Sequence, residues 1–516
     1  MLKIPFATWI ANAAVGLTGL YGDVTRQAEV AGCSRQTVYD HAQKVQAAVE
    51  DVHDGGPTRA ALSAENWHLR DENTHLWDWL ARTIEFPREK QREFTVTAIA
   101  MGLSLNQALI LLTLILGKNA CPGRSTLHRW VQHAAAAAGR VLKVLDARCQ
   151  VLILVGCLDE IFFHGRPVLV GVEPASMTWF LGHKADDRSG ATWAQALHGW
   201  DALSYVAADA GSGLQAGIAA VQQQRQEKGQ PSLENGLDVF HTTAEARRVL
   251  RLSWHRVERL WEQAEVADRR VEQSQRQGAD ARGAAGAARC AWKQAEAAFA
   301  EYERFEAGGK IAHAALAVFR PDGRLNDRAW AEHEIARALP LLSGREWSKV
   351  RNLLQAPEAL TFLDRLHRQL LEAVPDDRLR AELVRLWWLR RQRPRANAPG
   401  AVVGAGHVAH LVQQAVCHKL DANWPAWYTA MARVLRETVR ASSAVECMNS
   451  VLRMHQSRHR TVNQGLLDLK RLYWNCHAFR EGKRHRRSPY ELLGLNLPSY
   501  RFWDLLWMPT PAEGAN

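Results

Sequence analysis

The chain has 516 residues, with 65 Lys and Arg against 54 Asp and Glu, a formal net charge of +11 and a pI near 9.4. This length exceeds one ordinary domain, and the positive charge suits a surface that neutralises phosphates along a polyanion. Eight scattered cysteines, with no CxxC pair and no Cys/His spacing suited to zinc, exclude a zinc-finger or disulfide scaffold and predict a reduced, cytoplasmic protein.

The apolar stretches are too short to cross a membrane. The longest, Ala108 to Gly117, falls well below the roughly 20 residues that a membrane helix requires, so it predicts a buried helix. The opening stretch Met1 to Leu20 is mildly apolar with Lys3 as its single basic leader, and we expect neither a signal peptide nor a membrane partner.

The segment Gly22 to Val45, within a first domain at 1–58, has the pattern of a helix-turn-helix. One short helix ends at Gly32, and a second begins with Ser34 as its N-cap. The predicted packing face consists of Val30, Val38 and Val45. The outward side chains, which would contact a DNA groove, are Arg35, Gln36, Tyr39 and Lys44. A helical hairpin that binds nothing is the alternative.

Residues 59–84 form a linker with a heptad-like spacing. Leucines stand at 62, 69, 76 and 80, and Asn66 and Asn73 occupy the other core positions. A buried Asn can fix the register of a coiled coil, so this segment is either a short dimerisation helix or a packed linker helix.

A second helical domain is expected at 85–148, with a further recognition helix at Ser125 to Gln132. Its candidate DNA contacts are Arg124, His128 and Arg129. In the alternative interpretation Leu127, Trp130 and Val131 are simply core residues.

The pattern changes at Val151. Three apolar runs up to Gly182, separated by turns at His164 to Pro167 and Pro174 to Ser176, predict three consecutive strands. The elements expected next are a helix at Ala191 to Trp200, a strand at Leu203 to Ala208, a helix from Gly213 and a strand at Leu237 to Phe240.

The rest of the chain is predicted to be helical. Residues 244–440 form a helical insertion that begins with a hairpin over Arg247 to Glu306. Helices at Ser443 to Met454 and Asn463 to His477 follow, and 495–516 is a tail. The expected fold class is multidomain α/β plus all-α: an RNase H-like catalytic core in two parts, 149–243 and 441–494, interrupted by the insertion and preceded by the helix-turn-helix segments.

Three acids fall where such a core can bring them together. Asp159 lies on the first strand, Asp209 just beyond the fourth, and Glu446 in the first turn of the late helix. Three close carboxylates repel one another unless cations bind, and two Mg²⁺ or Mn²⁺ ions held by carboxylates are what phosphoryl transfer on DNA requires. Glu160 is the rival of Asp159, on the opposite strand face, and Asp201 is the rival of Asp209.

Glu446 has a competing explanation, because Ser443 to Glu446 also fits a capping box. The helical periodicity places Glu446, Asn449, Ser450 and Arg453 on one face, and Val445, Met448 and Leu452 on the other. On the polar face, Asn449 and Arg453 are predicted to orient a phosphate. Further phosphate contacts are predicted at Arg458, His459, Arg460, Lys483 and Arg484.

From Val151 to Gly494 the chain resembles the DDE transposases of the RNase H-like superfamily, especially the Mutator-like and related insertion-sequence group. Their C/D(2)H signature is matched by Asp238 to His241, which begins 29 residues after Asp209 (238 − 209). The group commonly carries a helical insertion between its second and third acids, and here that interval is 237 residues (446 − 209). The resemblance implies site-support roles for Asp238 and His241.

The resemblance also implies an activity and its partners. We expect metal-dependent cleavage at transposon ends, 3′-hydroxyl strand transfer into target DNA, and a homo-oligomer on double-stranded DNA that uses no small-molecule cofactor and is nucleoid-associated if bacterial. Two alternatives stay open: an inactive, domesticated transposase that regulates through sequence-specific DNA binding, and an RNase H-like nuclease of repair or recombination.

Overall fold

The structure is a computed structural model that describes residues 4–52, 58–83, 86–392, 405–459 and 462–510. The chain divides into two compact units, Met1–Pro87 and Arg88–Asn516. Most residues are helical, and one five-stranded mixed sheet lies in the second unit. Among the described residues, no helix combines the length and apolarity needed to cross a membrane. All eight cysteines are described, and none forms a disulfide.

The first unit contains the predicted helix-turn-helix. Its helices are α1 (Phe6–Thr18), α2 (Asp23–Val30), α3 (Arg35–Val52) and α4 (Arg59–Thr83). Gly32 makes the turn with a left-handed φ of 59°, and Ser34 Oγ accepts a hydrogen bond from Thr37 N at 3.1 Å. Val38 is fully buried as predicted, but Val30 is 80% exposed because α2 ends there and packs through Ala28 instead.

Helix α4 exposes its side chains along most of its described length. Every side chain described in it from Arg59 to Trp77 is exposed, including the leucines of the heptad-like pattern. Within the described part of the first unit, these side chains are therefore not packed, and both the dimerisation helix and the packed linker helix stay predictions.

The second unit begins with α5 (Arg88–Met101), α6 (Leu105–Leu116) and α7 (Arg124–Cys149). The predicted recognition helix is the first part of α7, and its Leu127 and Val131 are buried, as the core interpretation requires. The prediction that the apolar run of α6 is buried is wrong. Leu114 is 77% exposed, because α6 packs on α5 and α7 along one side only, through Ala108 and Leu112.

The sheet has the strand order β3-β2-β1-β4-β5. Its strands are β1 (Val155–Phe163), β2 (Arg166–Val172), β3 (Trp179–Lys184), β4 (Tyr205–Ala208) and β5 (Glu234–Leu237), and the helices between the last three strands are α8 (Gly190–Leu197) and α9 (Ser212–Glu227). The first three strands are antiparallel, which confirms the predicted meander, and β4 and β5 run parallel to β1.

The predicted fifth strand is wrong in its position. The strand ends at Leu237, and Val239 already belongs to the next helix, α10 (Val239–Arg276). The carboxylate of Asp238 accepts hydrogen bonds from Phe240 N at 2.6 Å and His241 N at 3.4 Å. This N-cap starts the helix at Val239, where the apolar pattern predicts a strand, so His241 lies in the first helical turn.

The described residues of the insertion are mainly helical, and α10 forms with α11 (Arg282–Ala315) the predicted hairpin. The remaining helices of the insertion are α12 (Arg328–Ala338), α13 (Ser348–Gln355), a 3₁₀ turn at Pro357–Leu360, α14 (Thr361–Ala373), α15 (Asp377–Gln392), α16 (Ala405–Leu420) and α17 (Trp424–Glu437). They enclose two apolar cores, one of which also contains Leu237 of β5.

The chain then returns to the sheet. The helices that follow are α18 (Ser443–Arg458), α19 (Gln464–Cys476), α20 (Pro489–Leu493) and α21 (Phe502–Leu506), with a 3₁₀ turn at Gly482–Arg484. Val445, Met448 and Leu452 of α18 are buried against one sheet face, which confirms the predicted apolar face of this helix. Helices α7, α8 and α9 cover the opposite face.

Candidate metal centre

Three side chains from distant parts of the sequence converge beside the sheet: Asp159 of β1, His241 of α10 and Glu446 of α18. One possible ligand atom from each lies within 4.8 Å of the other two. Two of the three predicted acids are therefore brought together, and the third member of the group is a histidine that sequence reasoning placed in a supporting role.

Asp159 is buried and held from two sides. Its Oδ2 accepts a hydrogen bond from Asn449 Nδ2 at 2.7 Å, and its Oδ1 accepts one from Glu160 N at 2.8 Å. The pKa of Asp159 is raised to about 7, mainly by burial and also by the charges of Glu446 and Asp209, against the lowering effects of the Glu160 hydrogen bond and of His241. Asp159 is thus a desolvated carboxylate with acidic neighbours.

The rival carboxylate Glu160 lies apart from this group. Its Oε1 accepts a hydrogen bond from Arg188 Nη1 at 2.7 Å. Side chains of successive strand residues point to opposite faces, so Glu160 points away from α18, which Asp159 contacts through Asn449.

His241 and Glu446 form a close pair. His241 Nε2 lies 3.2 Å from Glu446 Oε1 and 3.6 Å from Asp238 Oδ2. The contact with Glu446 raises the pKa of His241 to about 9, and the same contact lowers the pKa of Glu446. Arg453 Nη1, 3.8 Å from Glu446 Oε2, adds a second cation on this side.

The capping-box explanation of Glu446 does not hold in the structure. The N-cap of α18 is Ser442, one residue earlier than that explanation requires, and no side-chain hydrogen bond caps the helix. Glu446 faces His241 instead, while Ser442 uses its hydroxyl to bind Asp238.

Asp209 lies next to this group but is not part of it. Leu158 of β1 pairs with Ala208 of β4, so Asp159 and Asp209 are the next residues along two adjacent parallel strands. Asp209 is half-buried, and its charge contributes to the raised pKa of both Asp159 and His241. The rival Asp201 is exposed and precedes β4, so it lies beyond the other end of the strand.

Asp238 joins the two helices that carry the site. It is almost fully buried, and besides capping α10 its Oδ2 accepts hydrogen bonds from Ser442 N at 3.0 Å and from the Ser442 hydroxyl. One carboxylate thus fixes the start of the helix bearing His241 and the residue before the helix bearing Glu446.

The donor set fits a divalent cation. One buried polar atom at the site, Asn449 Oδ1, has no hydrogen-bond partner among the described residues, whereas His241 Nε2 has its ion-pair contacts with Glu446 and Asp238. Buried polar atoms are rarely left so, and a ligand is one way of satisfying them. The carboxylates suit Mg²⁺ or Mn²⁺, and the imidazole of His241 would bind a transition ion only after losing the proton that its contact with Glu446 favours.

The predicted DNA-contacting side chains differ in whether they are exposed to solvent or bound within the fold. Those exposed to solvent are Arg35, Gln36, Tyr39 and Lys44 on α3, Arg124, His128 and Arg129 on α7, Arg458 at the end of α18, and Lys483. Arg484 is engaged within the fold, because its guanidinium donates to Pro174 O at 2.7 Å and Ala175 O at 2.9 Å. Burial lowers the pKa of His459 to about 4, so it adds no charge near neutral pH. Arg460 lies outside the described residues.

No protein-family model, curated protein or solved structure matches the chain. What supports a function is therefore the motifs of the sequence and the geometry of Asp159, His241 and Glu446.

Proposed function

We propose that the chain is a DNA transposase that cleaves transposon ends and joins them to target DNA by metal-dependent phosphoryl transfer. The observation that carries this proposal is the convergence of Asp159, His241 and Glu446 within 4.8 Å, with Asp209 next in register to Asp159. Nuclease and strand-transfer chemistry on DNA calls for such a cluster of acids.

The sheet and α18 supply the framework of the proposal, in which the two parts of the core form an RNase H-like domain. In its support, three antiparallel strands, two parallel strands and a late helix bearing an acid occur in the order that the transposase resemblance implies. The helical insertion lies between the second and third acids, as in the Mutator-like group.

In the proposed reaction a water oxygen first attacks the phosphorus at an element end. The bond from phosphorus to the 3′ oxygen breaks, the water gives up a proton, and a 3′-hydroxyl and a 5′-phosphate result. That 3′-hydroxyl then loses its proton and attacks a target phosphodiester, whose own 3′ oxygen leaves. Divalent ions held by Asp159, Asp209 and Glu446 would activate the attacking oxygen and stabilise the leaving one.

The other residues position these groups. Asn449 holds the Asp159 carboxylate through its amide, and Asp238 fixes the starts of α10 and α18. His241, with its raised pKa, and Arg453 place positive charge beside Glu446, where a DNA phosphate would also be attracted. The exposed polar face of α3 is the proposed sequence-reading surface.

The test is cleavage and strand transfer on DNA that flanks the coding sequence, with Mg²⁺ or Mn²⁺ and with EDTA as the blank. We compare the intact chain with Glu446→Gln and with the matched control Glu437→Gln, an exposed carboxylate at the end of α17. Loss of an ion-holding carboxylate should lower the cleavage rate about a hundredfold or more with DNA binding retained, whereas the control should cleave normally.

Three other outcomes would contradict the proposal. Equal cleavage by Glu446→Gln and the intact chain would remove Glu446 from the chemistry. Binding of the flanking DNA without cleavage under either metal would favour the regulator. Cleavage of branched DNA without strand joining would favour a nuclease of repair or recombination.

A further inference from the structure

Helix α4 (Arg59–Thr83) carries a row of leucines that the other described helices of the first unit do not cover. Leu62, Leu69 and Leu76 are about half exposed, and Leu69, the middle one, is 54% exposed. The helix has 25 residues and is therefore about 38 Å long. A helix without tertiary packing is marginal in water, and exposed apolar area favours association.

The spacing of the row is that of a two-stranded coiled coil. The positions Leu62, Asn66, Leu69, Asn73 and Leu76 alternate steps of four and three residues, and the sequence continues the pattern at Leu80. In heptad notation Leu62, Leu69 and Leu76 occupy d, and Asn66, Asn73 and Leu80 occupy a. We propose that α4 pairs with α4 of a second copy of this chain as a parallel, in-register coiled coil.

The asparagines identify the occupant as a second copy. Asn at position a specifies register and a two-stranded state, because in a parallel dimer each Asn faces the same Asn across the interface. A foreign apolar surface on this row would bury the amides of Asn66 and Asn73 without partners, which costs more than a hydrogen bond gains. Only an identical helix in register satisfies both.

The flanking charges determine the direction of the partner. Glu65 occupies a g position and Arg70 the e position of the next heptad, and in the described part of the chain neither has an ion-pair partner. In a parallel dimer, g of one helix faces the following e of the other, so Glu65 meets Arg70 of the second copy twice by symmetry. An antiparallel arrangement would bring g positions together and remove these two pairs.

This inference is independent of the proposed DNA chemistry and reaches further than it. A dimer through α4 would join two copies of the helix-turn-helix of α2 and α3 in one molecule. If α3 reads DNA, the protein would then recognise paired half-sites.

The experiment measures the molar mass of the full chain by sedimentation over a range of concentrations. Leu69→Glu places a charge at d and should raise the dimer dissociation constant by about tenfold or more. The matched control is Trp67→Glu, because Trp67 is 71% exposed on the same helix but lies at b, outside the interface. The control should dimerise like the unmodified chain. A monomer at all concentrations, or equal weakening by both variants, would overturn the proposal.

A charge exchange then tests the direction. Glu65→Arg and Arg70→Glu should each weaken the dimer, since each places like charges opposite each other in the parallel arrangement. Combining the two substitutions should restore the affinity. A double variant no tighter than the singles would refute the parallel register, while circular dichroism confirms that each variant keeps its helical content.

Discussion

Replacing Asp238 by Ala should destabilise the sheet-bearing unit more than the loss of an ordinary helix cap. The Asp238 carboxylate accepts hydrogen bonds from Phe240 N and His241 N, and also from Ser442 N and its hydroxyl. The lost cap costs about 0.5–2 kcal/mol, and the buried Ser442 N–H left without a partner costs about 1–3 kcal/mol more. The expected loss in the free energy of unfolding is therefore about 1.5–5 kcal/mol.

The matched control is Asn463→Ala. Asn463 caps α19 through Leu466 N at 2.8 Å and holds no second helix, so its removal should cost about 1 kcal/mol. Asp238→Ser should lie between the two, because a serine hydroxyl can still cap α10 but is too short to reach Ser442.

The assay is hydrogen exchange by mass spectrometry in EDTA, combined with denaturant unfolding. Amides at the start of α10 and at the start of α18 should lose protection together in Asp238→Ala, although the two segments lie about two hundred residues apart in sequence. If Asp238→Ala costs no more than Asn463→Ala, or if only α10 loses protection, then Asp238 does not join the two helices.

Two further predictions concern the metal and pH. Mn²⁺ should raise the melting temperature of the intact chain but not that of Asp159→Asn. At a hundredfold excess of Mn²⁺ over its dissociation constant, the added free energy of unfolding should be about 2.7 kcal/mol. The exposed Asp186→Asn is the control, and an equal shift in Asp159→Asn would place the ion elsewhere. Burial, aided by the charge of Lys470, lowers the pKa of His455 from 6.5 to about 3. Between these values the unfolded chain binds a proton that the folded chain does not, so stability falls as the pH drops through this window. In urea titrations from pH 4 to 7, we plot the free energy of unfolding against pH. His455→Leu should reduce the slope of this plot by up to about 1.4 kcal/mol per pH unit, and substitution of the exposed His183 by Leu should leave the slope unchanged.

The elements that could be predicted from the sequence are those with a strong local period. The three apolar runs after Val151 alternate with turns, and His164 and Gly165 close the first hairpin with left-handed backbones. The two faces of α18 follow from spacing alone, with Met448 buried and Arg453 exposed. Such patterns depend only on residues that are close in sequence, so they can be recognised in a single sequence without knowledge of the fold.

What could not be predicted depends on contacts between distant residues. The apolar run of Val239 and Phe240 continues the pattern of β5, but Asp238 ends the strand because its carboxylate caps a helix and binds Ser442. His241 was expected at a strand end, and its place next to Glu446 follows from that helical start. The exposed face of α6 is a similar case, because apolar composition does not tell how many sides of a helix are packed.

The same contacts explain how a long insertion can interrupt the site without displacing it. The chain leaves the sheet at Asp238 and returns at Ser442, and Val239 N donates to Arg440 O at 3.0 Å beside the Asp238–Ser442 contacts. The two ends of the insertion are thus hydrogen-bonded to each other at the starts of α10 and α18, the helices that carry His241 and Glu446. The apolar core next to this junction includes Leu237 of β5 as well as residues of the insertion, so the insertion also packs on the edge strand of the sheet. The relative position of His241 and Glu446 is therefore determined by a few buried polar contacts at this junction, and the length of the chain between them has little effect on it.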